Sequence, residues 1–220
     1  MSNGDFTVWG IGTTRTMRVH WMLMELGVNY AFHAIQPRTG ETMTDEFLRL
    51  NPKHKIPVLQ HGSHVLTESA AIITYLSEAF ETPAGFYVPN DSLGRSRLNE
   101  WCSFIMMELD AVSLYVIRRH GDLSDIYGEA PRAVASAKEY FADSAGAVMK
   151  KLPDRFDYLM PEGMSVADIL MVTCLDYAGA RGIAIPHPLL EYQRRQIQRP
   201  GYRRAFERNY PERHLQTDQT

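Results

Sequence analysis

"NPKHKIPVLQHGSHVLTES", residues Asn51 to Ser69, holds the stretch on which the fold turns. Ile56, Val58 and Leu59 beside the turn-like His61-Gly62-Ser63 predict a β-hairpin, yet Pro57 sits inside its first strand, where a ladder donor belongs. Proline has no N–H and is normally excluded from central strands, so Pro57 marks either an edge position or a special bond. A cis Ile56-Pro57 bond, the state of only about 5–6% of X-Pro bonds, would turn the chain and expose the backbone of Ile56. An exposed strand edge accepts an extended peptide ligand as an added strand. A plain edge-blocking proline is the other reading, and the residues alone leave both open.

The end of the stretch adds a second feature. Glu68 and Ser69 fall where the fourth strand gives way to a helix, Ser69 to Phe80, with Ile72, Leu76, Ala79 and Phe80 on one face. A helix start presents unpaired N–H groups that attract a carboxylate, Ser69 adds a hydrogen bond, and Glu68 is suited to an ammonium. A ligand with an α-amino acid end and a peptide body satisfies both features. As an alternative, Ser69 serves as an ordinary N-cap.

Upstream, Phe6 to Trp9 is a short β-rich run ending in Gly10 and Gly12, followed by Val19, Met22, Leu23 and Leu26 at helical spacing before Gly27. Tyr30 to Ile35 alternates as a second strand, which predicts a parallel pair with a right-handed crossover. Thr44 to Leu50 is a short helix ended by Asn51-Pro52, and the summed order is βαβαββα. "ETPAGFYVPND", Glu81 to Asp91, carries two prolines and a glycine and no period. The expected division is therefore an α/β domain over 1–81, a linker over 82–91 and an all-helical domain over 92–220. In the latter, Leu98, Trp101, Ile105, Leu109, Val112 and Val116 mark one long helix stopped near Gly121, and Pro131 opens a second through Leu152. "SVADILMVTCLDYAGARG" is a third, apolar on nearly every side and hence central, with Leu189–Gln198 and Tyr202–Asn209 completing the set.

The chain has 220 residues with 45% apolar and 22% charged, enough for a substantial core. A net charge of -3 gives no electrostatic reason for nucleic acid as a partner. "MSNGDFTVWG" lacks a signal peptide's basic flank and apolar run, and no segment approaches the ~20 apolar residues of a membrane span. A cytoplasmic location is the expectation. Cys102 and Cys174 lie in helical sequence with no CxxC, so they read as buried small hydrophobes.

Asn51 to Leu76, "NPKHKIPVLQHGSHVLTESAAIITYL", resembles the glutathione-binding segment of the cytosolic glutathione transferases, of the serine/threonine, theta-like or bacterial type. "RVHWMLMELGVNY" and "MSVADILM" resemble the first helix and the C-domain capping box of that family. The resemblance implies a thioredoxin-like N-terminal domain, a helical C-terminal domain forming the second-substrate cleft, and a homodimer. It implies that a cis Ile56-Pro57 bond pairs Ile56 with the cysteinyl backbone of glutathione, that Glu68 and Ser69 hold the γ-glutamyl end, and that His54 and Lys55 reach the glycyl carboxylate. Both of these are also explained as solvated loop charges.

Glutathione must react as thiolate, and a thiol of pKa about 8.5 is only a few per cent ionised at neutral pH. A hydrogen-bond donor and a helix N-terminus lower that value. "GIGTTRTMR" offers Thr13, Thr14 and Thr16, and relatives with serine here tend to have it four residues before a first-helix arginine. Counting back from Arg18 gives Thr14, with Thr13 as the alternative and Thr16 inside the helix. Threonine departs from the family's usual tyrosine, serine or cysteine, and Thr14 as a mere N-cap is the competing reading. The absence of cysteine from the loop speaks against the mixed-disulfide branch. Ala70, where many relatives have arginine, is a second departure.

Elsewhere, Ser165 and Asp168 form a structural capping box, and His61 and His64 lack further ligands for a metal, so none is expected. Arg118-Arg119-His120 could meet an anionic group, with Met106, Met107 and Tyr115 as candidate cleft walls. The expected activity is conjugation of the glutathione thiolate to apolar electrophiles. Isomerisation, dehalogenation or peroxide reduction with glutathione, or glutathione binding without chemistry, are the alternatives.

Overall fold

The computed structural model describes residues 6–153 and 155–213; residues 1–5, where a leader was sought, lie outside them. Its first half runs β1 (Phe6–Trp9), α1 (Thr14–Leu26), β2 (Ala31–His33), α2 (Asp45–Leu50), β3 (Val58–His61), β4 (His64–Thr67) and α3 (Ser69–Ala79), the expected βαβαββα order. The sheet order is β2-β1-β3-β4, with β1 parallel to β2 and the other pairs antiparallel. β3 is therefore an interior strand, and the edge-blocking reading of Pro57 fails. Pro57 is not inside the strand either: the ladder starts one residue later, with Val58 opposite Trp9 and Thr67, so its missing N–H removes no ladder bond. β2 is shorter than its alternation suggested because it pairs only with Thr7 to Trp9, and all three of its residues are exposed.

α1 is buried continuously from Thr16 to Leu23, which encloses the polar Arg18 and His20 along with Val19 and Trp21. One reason is α3. The other is α10 (Pro200–Asn209), which packs on α1. Arg199 donates to both carboxylate oxygens of Glu25 at 2.9 Å, and Trp21 Nε1 donates to Glu25 Oε1 at 2.8 Å. Tyr202 meets the Trp21 ring edge-on at 5.0 Å. The chain accordingly forms two compact units that differ from the expected boundaries: one ends at Ala84 and resumes at Ile197, and the other is Gly85–Gln196. A helical period could not show that the last helix serves the first unit.

The second unit is helical. α4 (Ser92–Phe104) is capped by Asp91, which accepts from Leu93 and Gly94 at 2.9 Å. It continues as π-helix over Ile105–Leu114, a single turn α5 (Tyr115–Ile117), and π-helix again over Arg118–Asp122, before α6 (Ser124–Tyr127). Ser113 Oγ donates to the Glu108 carbonyl five residues back at 2.8 Å, in step with the wider turn. That extra width rotates the face: Val112, expected inside, is 51% exposed, and Ser113, Leu114 and Ile117 are buried instead. α7 (Pro131–Met149) opens on its proline, and α8 (Val166–Gly179) is buried without a break from Val166 to Leu175. α9 (His187–Ile197) closes the unit. Most of the expected linker, from Gly85 to Asp91, also belongs here, since Tyr87 N–H donates to the Met164 carbonyl at 2.6 Å and Met164 N–H to that of Gly85 at 3.0 Å.

Asp168 holds this unit together at one point. It is fully buried and accepts from Leu159 N–H at 2.9 Å, Ser165 N–H at 2.8 Å, Ser165 Oγ at 3.0 Å and the Tyr192 hydroxyl at 2.7 Å. Burial pushes its carboxyl above the usual range, against the pull of those four donors. Replacing Asp168 by Ala strands buried donors from three segments and is expected to cost about 3–5 kcal/mol, read from urea unfolding. Cys102 and Cys174 are not joined in a disulfide, and burial pushes the Cys102 thiol up to about 12, which leaves it inert near neutral pH.

Candidate active site

The start of α1 is built by a closed set of threonine and asparagine bonds. Thr13 is the N-cap: its Oγ1 accepts the Thr16 N–H at 3.0 Å, while Thr16 Oγ1 accepts the Thr13 N–H at 3.0 Å. Thr16 Oγ1 lies 2.6 Å from Asn209 Oδ1, and Asn209 Nδ2 donates to the Thr13 carbonyl at 3.0 Å. The Asn209 carbonyl in turn accepts the Gly12 N–H at 2.8 Å. Thr13 and Thr16 are thereby buried and consumed. Thr14, the first residue of the helix, is half-buried, and its hydroxyl has no partner among the described residues. The N-cap role weighed for Thr14 thus belongs to Thr13, and Thr14 is left as a free donor at a helix N-terminus.

The loop before β3 is held by Asn51, buried to 1% exposure. Its Oδ1 accepts the Lys53 N–H at 3.1 Å and its Nδ2 donates to the Lys55 carbonyl at 2.7 Å. His54 takes a left-handed φ of 56, with His54 and Lys55 both exposed and without a side-chain partner among the described residues. The Ile56-Pro57 bond is cis. Neither the N–H nor the carbonyl of Ile56 has a backbone partner among the described residues, so its edge is open to an added strand. Its side chain reaches the turn that leads to α1: a Cβ at Gly10, where φ is 116, would lie 2.6 Å from Ile56 Cβ. Glycine at 10 is what lets this loop approach the first helix.

At the head of α3, Ser69 is buried and its Oγ accepts from Arg18 Nη1 at 3.2 Å. Glu68 has φ 70 and ψ 113, a conformation disfavoured for any side-chain-bearing residue, and strain of this kind gathers at ligand sites. Its exposed carboxylate meets Lys53 Nζ at 2.5 Å. Of the six residues singled out for the ligand, Ile56 approaches the turn before α1 at Gly10, Pro57 follows it through the cis bond, Glu68 and Ser69 stand at the head of α3, and His54 and Lys55 are exposed. Lys53, Asn51, Arg18 and Asn209 were not assigned roles. Lys53 and Asn51 are in the quoted stretch, whereas no local pattern marks Asn209.

Behind the first turn His20 is fully buried, with Nε2 donating to the Gly10 carbonyl at 3.0 Å and Nδ1 accepting from Tyr30 at 2.8 Å. Burial lowers its pKa to about 4, against the Gly10 bond, with Arg208 nearby adding to the drop. The turn therefore rests on a neutral imidazole.

Within the helical unit, Asp122 accepts from Tyr177 and from Arg181 Nε, each at 2.8 Å, while Arg181 lies 3.7 Å above the Tyr177 ring. Burial opposes the ionisation of Asp122, but Arg181 and Tyr177, with Arg118 adjacent, hold it below the usual carboxylate range. Arg119 sits 4.3 Å over the Tyr127 ring and His120 Nδ1 donates to the Gly128 carbonyl at 2.9 Å. His61, considered for a metal, instead meets the Tyr75 hydroxyl at 2.6 Å and stacks on Phe6.

A two-unit chain with a thioredoxin-like sheet, a cis-proline loop and a Glu-Ser helix start defines a class, and the comparisons agree with it. Residues 4–78 match the family model for the glutathione S-transferase N-terminal domain. The chain is 27% identical over 173 residues to mouse glutathione S-transferase theta-1, covering 76% of this chain and 72% of that protein. It is 27% identical over 190 residues to a maleylpyruvate isomerase of Ralstonia, covering 84% and 87% respectively. A glutathione transferase homolog of Lodderomyces elongisporus, solved with two glutathiones per subunit, superposes with a TM-score of 0.81 at 18% identity over 92% of this chain and 98% of its own. Residues 4–78 thus carry a glutathione S-transferase N-terminal domain, and the likeness to glutathione S-transferases extends over most of the chain.

Two stability measurements check the geometry. Thr13→Ala is expected to cost about 1–2 kcal/mol and Asn209→Ala a similar amount, whereas Thr14→Ala changes stability by less than ~0.5 kcal/mol. The His20 shift carries a definite sign: the unfolded imidazole protonates near 6.5 and the folded one near 4, so acid favours the unfolded state across that window. Up to about 3 kcal/mol is lost between those values, and His20→Gln should flatten that part of a stability-against-pH curve.

Proposed function

We propose that the protein is a glutathione transferase in which Thr14 donates a hydrogen bond to the glutathione sulfur and holds it as thiolate for attack on an apolar electrophile. The observation that carries this reading is the division between adjacent threonines: Thr13 is spent on the helix cap, and Thr14 keeps a free hydroxyl where the unpaired N–H groups of α1 begin. A donor and a helix N-terminus acting together favour the charged form of the thiol. Ile56, with a free backbone edge, would pair with the cysteinyl backbone. Ser69, with the α3 N-terminus, and Glu68 would hold the γ-glutamyl carboxylate and ammonium, while His54 and Lys55 would reach the glycyl carboxylate. Catalysis then consists of positioning and ionising the thiol. A homodimer in the cytoplasm is the proposed assembly and location, on family likeness.

A second reading has one observation of its own. In the helical unit Arg181 is bound to Asp122 and Arg118 acts on the same carboxylate, a basic neighbourhood that suits an anionic second substrate. Glutathione-dependent isomerisation of a dicarboxylate such as maleylpyruvate is the corresponding reaction, by analogy with the Ralstonia relative.

Retention on immobilised glutathione tests the site. Conjugation of a generic aryl halide tests the chemistry: a hydrogen bond to a charged group is worth about 1.5–3 kcal/mol, so Thr14→Ala should lower kcat/KM by roughly 10- to 100-fold. Thr14→Ser should retain activity, and the acid limb of the pH–rate profile should move to higher pH in the alanine variant. Equal rates for wild type and Thr14→Ala would remove Thr14 from the mechanism. Turnover of maleylpyruvate but not of aryl halides would favour the second reading.

A further inference from the structure

The carboxylate assigned to the ligand's ammonium already has a cation. Lys53 Nζ lies 2.5 Å from Glu68 Oε1 and 2.8 Å from Thr67 Oγ1. The lysine is aimed there by its loop: Asn51 fixes the Lys53 N–H and the Lys55 carbonyl, and the left-handed turn at His54 follows. Glu68 is presented by its own left-handed backbone. Two strained residues on separate segments thus frame one ion pair at the mouth of the proposed γ-glutamyl site.

Building on the glutathione-site reading above, we infer that Lys53 is a specificity-determining residue that stands in for the ligand's α-amino group and relaxes the demand for it. A carboxylate has two oxygens and about four acceptor positions, so Glu68 can keep Lys53 on Oε1 and take a ligand ammonium on Oε2. When a ligand without that ammonium docks, Glu68 is still paired, and no carboxylate is left stripped of both water and partner. Removing Lys53 reverses both effects. The ligand ammonium becomes the sole cation for Glu68 and its attraction is no longer offset by a neighbouring positive charge. A ligand lacking it then abandons an unpaired carboxylate. The ligands admitted are therefore γ-glutamyl peptides and also their γ-glutaryl counterparts, identical but for the missing amino group.

The size of the effect follows from exposure. The Lys53 and Glu68 side chains are 47% and 70% exposed, and a solvent-screened pair changes a binding constant by about fivefold at most. The test is calorimetry with glutathione and with its γ-glutaryl analogue on the full chain, read as the ratio of the two Kd values. Lys53→Met should raise that ratio about three- to fivefold, Lys53→Arg should leave it near wild type, and in a Glu68→Gln background Lys53→Met should leave it unchanged. High salt should shrink the difference. An unchanged ratio in Lys53→Met, with glutathione still bound, overturns the role of Lys53 alone. Failure of the wild-type chain to bind either ligand overturns the glutathione site and this inference with it.

Discussion

Asn209 fixes the first turn of α1 from a place in the chain almost as far from it as sequence allows. With one side chain and one carbonyl it takes the Gly12 N–H, the Thr13 carbonyl and the Thr16 hydroxyl. Everything chemical in the proposed site depends on that turn. Because Thr13 and Thr16 are locked against each other and against Asn209, the helix start cannot fray, and the next hydroxyl outward is Thr14. The buried network is fully paired, which is the condition under which polar groups inside a fold specify one arrangement.

The same turn is supported from the side and from beneath. Gly10 lets Ile56 come within reach of the β1–α1 connection, so the strand edge offered to a peptide and the hydroxyl offered to a thiol belong to one rigid region. His20 braces the Gly10 carbonyl as a neutral group, and Arg18, one helical turn beyond Thr14, binds Ser69. Thus α1 ties the thiol end of the proposed site to its amino acid end. The strain at Glu68 and His54 is held by the sheet, by α3 and by Asn51. A side chain displayed on such a backbone need not be ordered again when a ligand arrives.

Local pattern was enough for much of this. The alternating and helical periods gave the βαβαββα order, and the Pro57 anomaly together with Glu68-Ser69 marked the stretch proposed to bind the ligand, because each is a short-range consequence of proline or of a helix start. The capping box at Ser165 and the proline at the head of α7 were legible for the same reason. Where the reading faltered, the cause was not local. The π-helical turns after Phe104 move Val112 to the surface although its spacing is helical, because the offset comes from how the bundle packs and not from any residue type.

The sequence by itself determined the kind of elements, their order, and where the proline turn and the Glu68-Ser69 helix start fall, since hydrophobic period, proline geometry and helix-start chemistry act over a few residues. Thr13 is spent in a local capping box with Thr16, but tertiary structure alone decided that Asn209 in α10 locks that turn, because a hydrogen bond across 196 residues leaves no trace in spacing. It also decided that the last helix completes the first unit, through the Glu25–Arg199 pair and Tyr202 on Trp21. Finally it decided that Lys53 reaches Glu68, because two residues far apart in the stretch become neighbours only once the hairpin between them has closed.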